Sequence, residues 1–563
     1  MTISRHARQR PAPFQHVIAT TSRRRRPAFA ARKIAAISPQ NRHETVLRLY
    51  TITPTVSPML AHVTTFAIDG LASRRITVEV DLRRGLPAFT IVGRGDAAVR
   101  ESRERVQSAL VNAGFDFPQR RITVNLAPAH LPKVGPGFDL ATACGVLVAS
   151  EQLPAAQLDR WAVFGELSLG GELRHCRGVL TVAEGTRGAG IEGLIVPREC
   201  AREAALVDGL AVAGVARLSD VAAILRGDEP PQLPPPVASE ARDEQLDLAD
   251  VRGHSEAVRA ITIAAAGAHN VLLSGPPGTG KTMLARRVIS ILPPLTRDEA
   301  IAVTRVHSIT GRHVGDGLVE RRPFRAPHHT ISPAGLVGGG TLPQPGEASM
   351  ANHGILFLDE LSEFSRPALE SLRQPLEDGV VAIVRSQRTV TFPTRFQLVA
   401  STNPCPCGLA GDRRCRCSEA DIARHRRKLS GPLLDRMDLL VHMPRPKPDD
   451  LDGRAGTPSH EALAAVLEAR ERQAHRLAGT GLRTNAELTP RLLRELVCAD
   501  AGAHAVLRLS YEKGTLSARG HGRILRVART IADLGGRARV RAPDVREALA
   551  FRQEDMLDGE MAA

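Results

Sequence analysis

Short apolar runs alternate with stretches of helical period along most of the chain after Met59. The runs Ile76 to Val80, Phe89 to Val92, Ile122 to Leu126 and Leu194 to Val196 read as strands and Arg100 to Asn112 as a helix, which predicts an α/β domain over 59–226. A proline-rich stretch from Gly227 and the charged residues after it read as an exposed linker, 227–246. From 247 to 445, buried-type strands at Val271 to Leu273, Ile355 to Leu358 and Phe396 to Ala400 alternate with helices, the pattern of a parallel sheet with crossover helices. Past Pro444, Pro446 and Pro448 the pattern turns helical. Helices are expected over His460 to Leu477, Pro490 to Val497, Ser517 to Leu534 and Pro543 to Phe551, a small lid domain within 446–563.

Residues 1–58 lack this patterning, and they alter the reading of charge. The chain holds 75 Lys and Arg against 60 Asp and Glu, net +15, but 1–58 hold eleven of the bases and one acid, Glu44, so that +10 sits there and +5 in the rest. The leader fits a flexible basic tail, an organelle transit peptide, or residues ahead of a natural start at Met59. The body is only mildly basic, and with 3% aromatic residues it lacks the makings of a base-stacking platform; contact with nucleic acid should go to the phosphate backbone. No run of 18 apolar residues occurs, which argues against a membrane span. Eight cysteines in 563 residues, four of them between Cys405 and Cys417, do not make a secreted disulfide scaffold and suggest a reducing, cytoplasmic setting.

The clearest chemistry lies at Gly275-Pro276-Pro277-Gly278-Thr279-Gly280-Lys281-Thr282, which fits G-x-x-x-x-G-K-[ST] with an apolar strand entering and a helix, Met283 to Leu292, leaving. Such a loop wraps backbone N–H groups around phosphates. Lys281 would neutralise the β- and γ-phosphates and Thr282 would offer its hydroxyl to Mg²⁺. Ile355 to Leu358 ends in Asp359 and Glu360, at the strand edge where open α/β sheets bind ligands; Asp359 would serve the Mg²⁺ shell and Glu360 would orient the attacking water. A third strand ends in Ser401-Thr402-Asn403. The Asn403 amide could sense the γ-phosphate or position the water, or serve the turn ahead of Pro404.

Together these resemble the AAA+ ATPases. Arg322-Pro-Phe-Arg-Ala-Pro-His-His-Thr330, Gly338-Gly-Gly340, Pro345-Gly-Glu347, Leu372-Arg-Gln-Pro-Leu-Glu-Asp-Gly379, Asn403-Pro-Cys-Pro-Cys-Gly408 and Ser430-Gly-Pro-Leu-Leu-Asp-Arg-Met-Asp438 resemble the magnesium-chelatase-like branch, in particular the YifB/ComM family. The resemblance runs from Met59 to about Arg552; His254 and Met350 depart from it, and the leader has no counterpart. It implies a homo-hexameric ring with ATP and Mg²⁺ bound between subunits. Arg436 falls on the arginine-finger position, reaching the neighbour's γ-phosphate, the alternative being a surface pair with Asp435 or Asp438. Arg519 in Ser517-Ala-Arg519 matches the second sensor, with Arg523 as the fallback and a solvated face of Arg519, Arg523 and Arg526 as the plainer reading.

Val380 to Val384 and Thr389 to Phe392 read as a β-hairpin around Arg385-Ser-Gln-Arg388. In related ATPases such hairpins, and an insert before the acidic strand (here about 303–349), line a central pore, where Arg385 and Arg388 would meet phosphates; solvated arginines are the alternative. Cys405, Cys407, Cys415 and Cys417 could give four thiolates to one Zn²⁺ or remain reduced loop thiols. Residues 59–226 also resemble the proteolytic domain of Lon, a Ser/Lys-dyad peptidase. In this chain Gly137 follows Pro132-Lys-Val-Gly-Pro136 where that family has its serine, and Leu180 to Val182 contain no lysine. The resemblance as a whole implies an ATP-driven DNA motor, a helicase and branch-migration factor associated with natural transformation. The rivals are a chelatase-type subunit serving a Mg²⁺-porphyrin enzyme and a protein-remodelling machine.

Overall fold

The computed structural model describes residues 60–228, 230, 233, 246–312, 317–385, 388–410, 413–429, 431–451, 456–514 and 516–552. The basic leader, most of the proline-rich linker and the hairpin-tip residues Ser386 and Gln387 lie outside them.

In the first region, Leu60–Asp69 pairs antiparallel with Ala72–Arg83, which pairs antiparallel with Arg121–Ala127; Ala88–Val92 joins the last in parallel. Ala72–Arg83 outgrows its expected span because the alternation continues. Ile76, Val78, Val80 and Leu82 point inward while the residues between them are partly exposed. A second, all-parallel sheet joins Trp161–Val163, Gly193–Pro197 and Ala211–Val215. Helix Asp139–Ala149 is buried at every residue, as its nearly uninterrupted apolar sequence requires.

The second region is built on five parallel strands in the order Phe324–Arg325, Ile355–Leu358, Gln397–Thr402, Val271–Ser274, Leu439–His442. Their side chains divide by period two between two cores. Leu273, Phe357, Val399 and Leu439 face one, and Leu272, Leu356, Leu398 and Leu440 face the other. Both faces are covered, which is why these strands read as continuous apolar runs. The lid helices Ser459–Leu477 and Ala518–Leu534 contribute Val466, Ile524 and Val527 to the first core and so close one face of the sheet. This is the α/β core with flanking helices and helical lid that the resemblance implies.

Two elements differ from expectation. The helix after the glycine-rich loop runs Lys281–Arg287 and tightens into a 3₁₀ turn, Val288–Ile291, where β-branched residues and the following Pro293-Pro294 disfavour continued α-helix. The lid also carries an unforeseen helix, Ala501–Glu512, started by Asp500 accepting from the Ala503 N–H at 2.7 Å; Gly502 in its first turn weakens the sequence signal. The hairpin Val380–Arg385 with Arg388–Pro393 buries Val381, Ile383, Val390 and Phe392, with Leu71 of the first region packed against them. Among the described residues no helix is long and apolar enough to cross a membrane.

Candidate nucleotide site

In the parallel sheet, Ser274, Leu358, Thr402 and His442 end their strands on one edge, so Gly275, Asp359 and Asn403 emerge side by side. Gly280, with φ +85°, turns the chain into the helix that Lys281 begins, a backbone conformation natural to glycine. Lys281 Nζ donates to the carbonyls of Gly275 and Pro276 at 2.7 and 2.8 Å and to Asn403 Oδ1 at 3.2 Å. Burial lowers its pKa, and Asp359 and Glu360 act in the opposite sense. The ammonium thus ties the glycine-rich loop to Asn403, the residue that follows the strand Gln397–Thr402. Thr279, buried, braces the loop by donating to Pro276 O at 3.0 Å. Pro277 and Gly278 form its outer curve, Pro277 touching Gly408.

Thr282 Oγ1 donates to Asp359 Oδ2 at 2.8 Å, which sets a hydroxyl and a carboxylate together as hard oxygen ligands of the kind Mg²⁺ takes. The other Asp359 oxygen accepts from Ser401 Oγ and from the Glu360 N–H. Glu360 has φ +52°, rare outside glycine, and its carboxylate is left 55% exposed beyond the Thr282–Asp359 pair. The imidazole of His329 lies beside it, Nδ1 at 3.8 Å from Oε2. Sequence reasoning gave no role to His329, Ser401 or the buried His254, which hydrogen-bonds the Thr279 backbone. The first two stood inside quoted motifs, but contacts across the fold leave no local pattern.

Arg436 and Arg519 stand elsewhere. The Asn270 amide donates to Arg436 O at 3.0 Å, and Asn270 precedes the strand Val271–Ser274. Arg436 therefore sits at the amino edge of the sheet, separated from the phosphate loop of its own chain by a four-residue strand, roughly 13 Å at about 3.3 Å per residue. Its guanidinium pairs with Glu377, not with the Asp435 or Asp438 considered from sequence. Burial, then Arg373 and Arg519, lower its pKa. Asp435 is instead approached by Arg519 at 3.8 Å and Arg523 at 3.9 Å. Arg519 is largely exposed and Arg523 mostly covered. These groups line a cleft of about 1090 Å³ along the amino edge, with nine arginines against six carboxylates on its walls. The surplus of guanidinium groups suits an anion.

On the loop leaving the strand Gln397–Thr402, the four Sγ atoms of Cys405, Cys407, Cys415 and Cys417 come within 4.8 Å of one another. At the hairpin, Arg385 and Val384 are exposed, and the Arg388 side chain is outside the described residues.

In the first region Gly137 is buried, and a Cβ built on it would lie 2.5 Å from the Phe164 ring. Leu180, Thr181 and Val182 are buried on helix Val179–Gly188. Lys133 is fully buried, donates to Pro128 O at 2.5 Å and has its pKa lowered by burial. Its hydrogen-bond partner is a backbone carbonyl, which offers no hydroxyl or thiol for it to activate. The purified chain is expected to hydrolyse neither casein nor peptides, and Gly137→Ser should not restore cleavage because the hydroxymethyl group meets Phe164. Hydrolysis that survives Lys281→Ala and vanishes on deleting 59–226 would overturn this.

Three family models match the chain: "Magnesium chelatase, subunit ChlI" over 247–451, "Subunit ChlI of Mg-chelatase" over 78–200, and "Magnesium chelatase, subunit ChlI C-terminal" over 456–552. The chain is 44% identical over 501 residues to the competence protein ComM of Haemophilus influenzae, covering 88% of this chain and 97% of that protein. It is 40% identical over 500 residues to the uncharacterized protein YifB of Escherichia coli, covering 88% and 98%. An uncharacterized protein of Mycobacterium tuberculosis is 44% identical over 489 residues, covering 86% and 97%.

Proposed function

Because the chain belongs to the YifB/ComM family of magnesium-chelatase-like AAA+ ATPases, we propose that it is the repeating unit of an ATP-driven homo-hexameric ring that works on DNA as a helicase and branch-migration factor linked to natural transformation and recombination. The observation that carries the ring is the division of labour between the two sheet edges. Lys281, Thr282, Asp359, Glu360 and Asn403 gather at the carboxyl edge, while Arg436 and Arg519 lie at the amino edge. One chain cannot bring both sets to one nucleotide; a head-to-tail neighbour can, and repetition of that contact closes a ring.

Bound MgATP supplies the phosphoryl group whose transfer to water drives the motor. Loop N–H groups and Lys281 hold the phosphates, Thr282 and Asp359 hold the metal, Glu360 orients the water, and Asn403 aligns it against the terminal phosphate. Arg436 and Arg519 both come from the neighbour: Arg436 meets charge that builds up in the transition state, and Arg519 reports on the same phosphates from that neighbour's lid. The Lon-like region, 59–226, serves as a scaffold or substrate guide above the ATPase ring.

The DNA reading rests on the likeness to a relative named as a competence protein and on the hairpin with its exposed Arg385. With +5 on the body, contact is with backbone phosphates. ATP turnover measured without DNA and with single-stranded, forked and four-way-junction DNA is the test: stimulation by branched substrates, together with strand displacement, is expected. No stimulation and no displacement by any of them would sink the DNA role. It would then favour a chelatase-type or protein-remodelling subunit, the reading to which the three chelatase-subunit matches point.

A further inference from the structure

Cys405, Cys407, Cys415 and Cys417 are four soft donors gathered from two C-x-C pairs at either end of one loop. Sγ separations are 3.4 Å for Cys405 and Cys407, 3.6 Å for Cys407 and Cys415, and 3.9 Å for Cys405 and Cys415. Four sulfurs at about 2.3 Å from one tetrahedral ion would stand about 3.8 Å apart, so the cluster has the dimensions of a metal cage. Disulfides would need sulfurs at about 2.05 Å, far closer than these. An all-thiolate set selects against Mg²⁺, which takes oxygen, and for thiophilic metals, among which a closed tetrahedral four-sulfur cage for a single ion fits structural Zn²⁺. The backbone N–H groups of Arg416 and Leu409 hydrogen-bond the Cys407 sulfur, the outer support that metal-bound thiolates use.

The loop is tied to the nucleotide site at both ends. Cys405, fully buried, lies two residues beyond Asn403, whose side chain receives Lys281 and whose carbonyl lies 3.0 Å from His425 Nε2. His425 belongs to helix Glu419–Lys428, whose N-cap Ser418 directly follows Cys417. Between the two pairs, the Gly408 N–H donates to Cys405 O at 2.9 Å, and Gly408 approaches Pro277 so closely that a Cβ there would lie 2.5 Å from the proline ring. The cysteine loop therefore presses on the phosphate loop and carries the sensor asparagine at its root.

We infer that the four thiolates hold one Zn²⁺ and that this ion is a structural clamp of the nucleotide site, fixing Asn403 and the outer curve of the phosphate loop at Pro277. The clamp rests on the reading of Gly275 to Thr282 as a nucleotide loop; the metal site does not. The cysteines are positioning residues, none of which touches substrate.

Elemental analysis of the purified full chain is expected to give about one zinc per chain, and growth with Co²⁺ should give the visible bands of a tetrahedral cobalt–thiolate centre, lost in Cys407→Ser with Cys415→Ser. Absence of metal, or iron in its place, would overturn the site. A fluorescent ATP analogue and steady-state kinetics then test the clamp. Affinity should fall and KM for ATP rise by roughly tenfold or more in the double variant, as expected of a misplaced positioning element. Should that variant fail to fold, stripping zinc from the native protein with a chelator and refilling it gives the same readout: affinity lost, then regained. Zinc present but removable without change in nucleotide affinity or KM would overturn the clamp and leave the metal site standing. A zinc-loaded protein that never binds the analogue would instead defeat the nucleotide reading.

Discussion

Lys281→Ala is expected to abolish nucleotide binding, whereas Glu360→Gln should keep binding and hold ATP unhydrolysed. Lys281 is buried and bonded to two loop carbonyls and to Asn403, so its loss removes the charge opposite the phosphates and loosens the loop at once. Glu360 stands outside the Thr282–Asp359 pair with its carboxylate half exposed, so its amide leaves the phosphate cradle and the metal ligands intact. Removing a group that orients and polarises water lowers turnover by about 10²–10⁴-fold. Binding of a fluorescent ATP analogue and release of phosphate separate the two effects. Equal loss of binding in both variants would contradict the assigned roles.

Arg436→Ala should leave ATP affinity nearly unchanged while turnover drops by about 10³ or more, the scale typical of an arginine finger. The reason is geometric. Arg436 lies at the amino edge, bonded through its backbone to Asn270 and through its guanidinium to Glu377, and meets a nucleotide only when a neighbour presents one. Mixing Arg436→Ala chains with Lys281→Ala chains should restore part of the activity, since some interfaces then combine an intact loop with an intact finger. Mixed rings of verified assembly that show no rescue would argue against action between subunits.

What the sequence disclosed of this site divides along chain distance. The phosphate loop and the Asp359-Glu360 pair are contiguous, each at the end of an aliphatic run, and the parallel sheet follows from those same runs. Ile355–Leu358 forms at its expected bounds because every residue in it is buried on both sides. The side on which Arg436 and Arg519 lie was not legible, since it depends on the packing of the lid against the sheet and on Asn270 pairing with a residue far along the chain. The approach of His329 to Glu360 was hidden for the same reason. Helix Ala501–Glu512 escaped notice for a local reason, the glycine in its first turn.

Swinging the lid off the sheet would uncover Val466, Ile524 and Val527 together with Leu273 and Phe357. It would also break the buried contact of Thr530 Oγ1 with His269 Nε2 at 2.8 Å and the Gln473 bond to Ala266 O at 2.9 Å. Because water replaces the lost partners on the uncovered surface, each hydrogen bond given up costs about 0.5–1.5 kcal/mol net, on top of the apolar area exposed. Opening an internal hinge therefore carries a free-energy cost, and in the proposed ring the joint where one copy's amino edge meets the next copy's carboxyl edge would be the more compliant one. Each protomer would then turn as a block, tilting against its neighbour as nucleotide comes and goes, and the stroke of such a ring would be set by the angle between subunits rather than by bending within one.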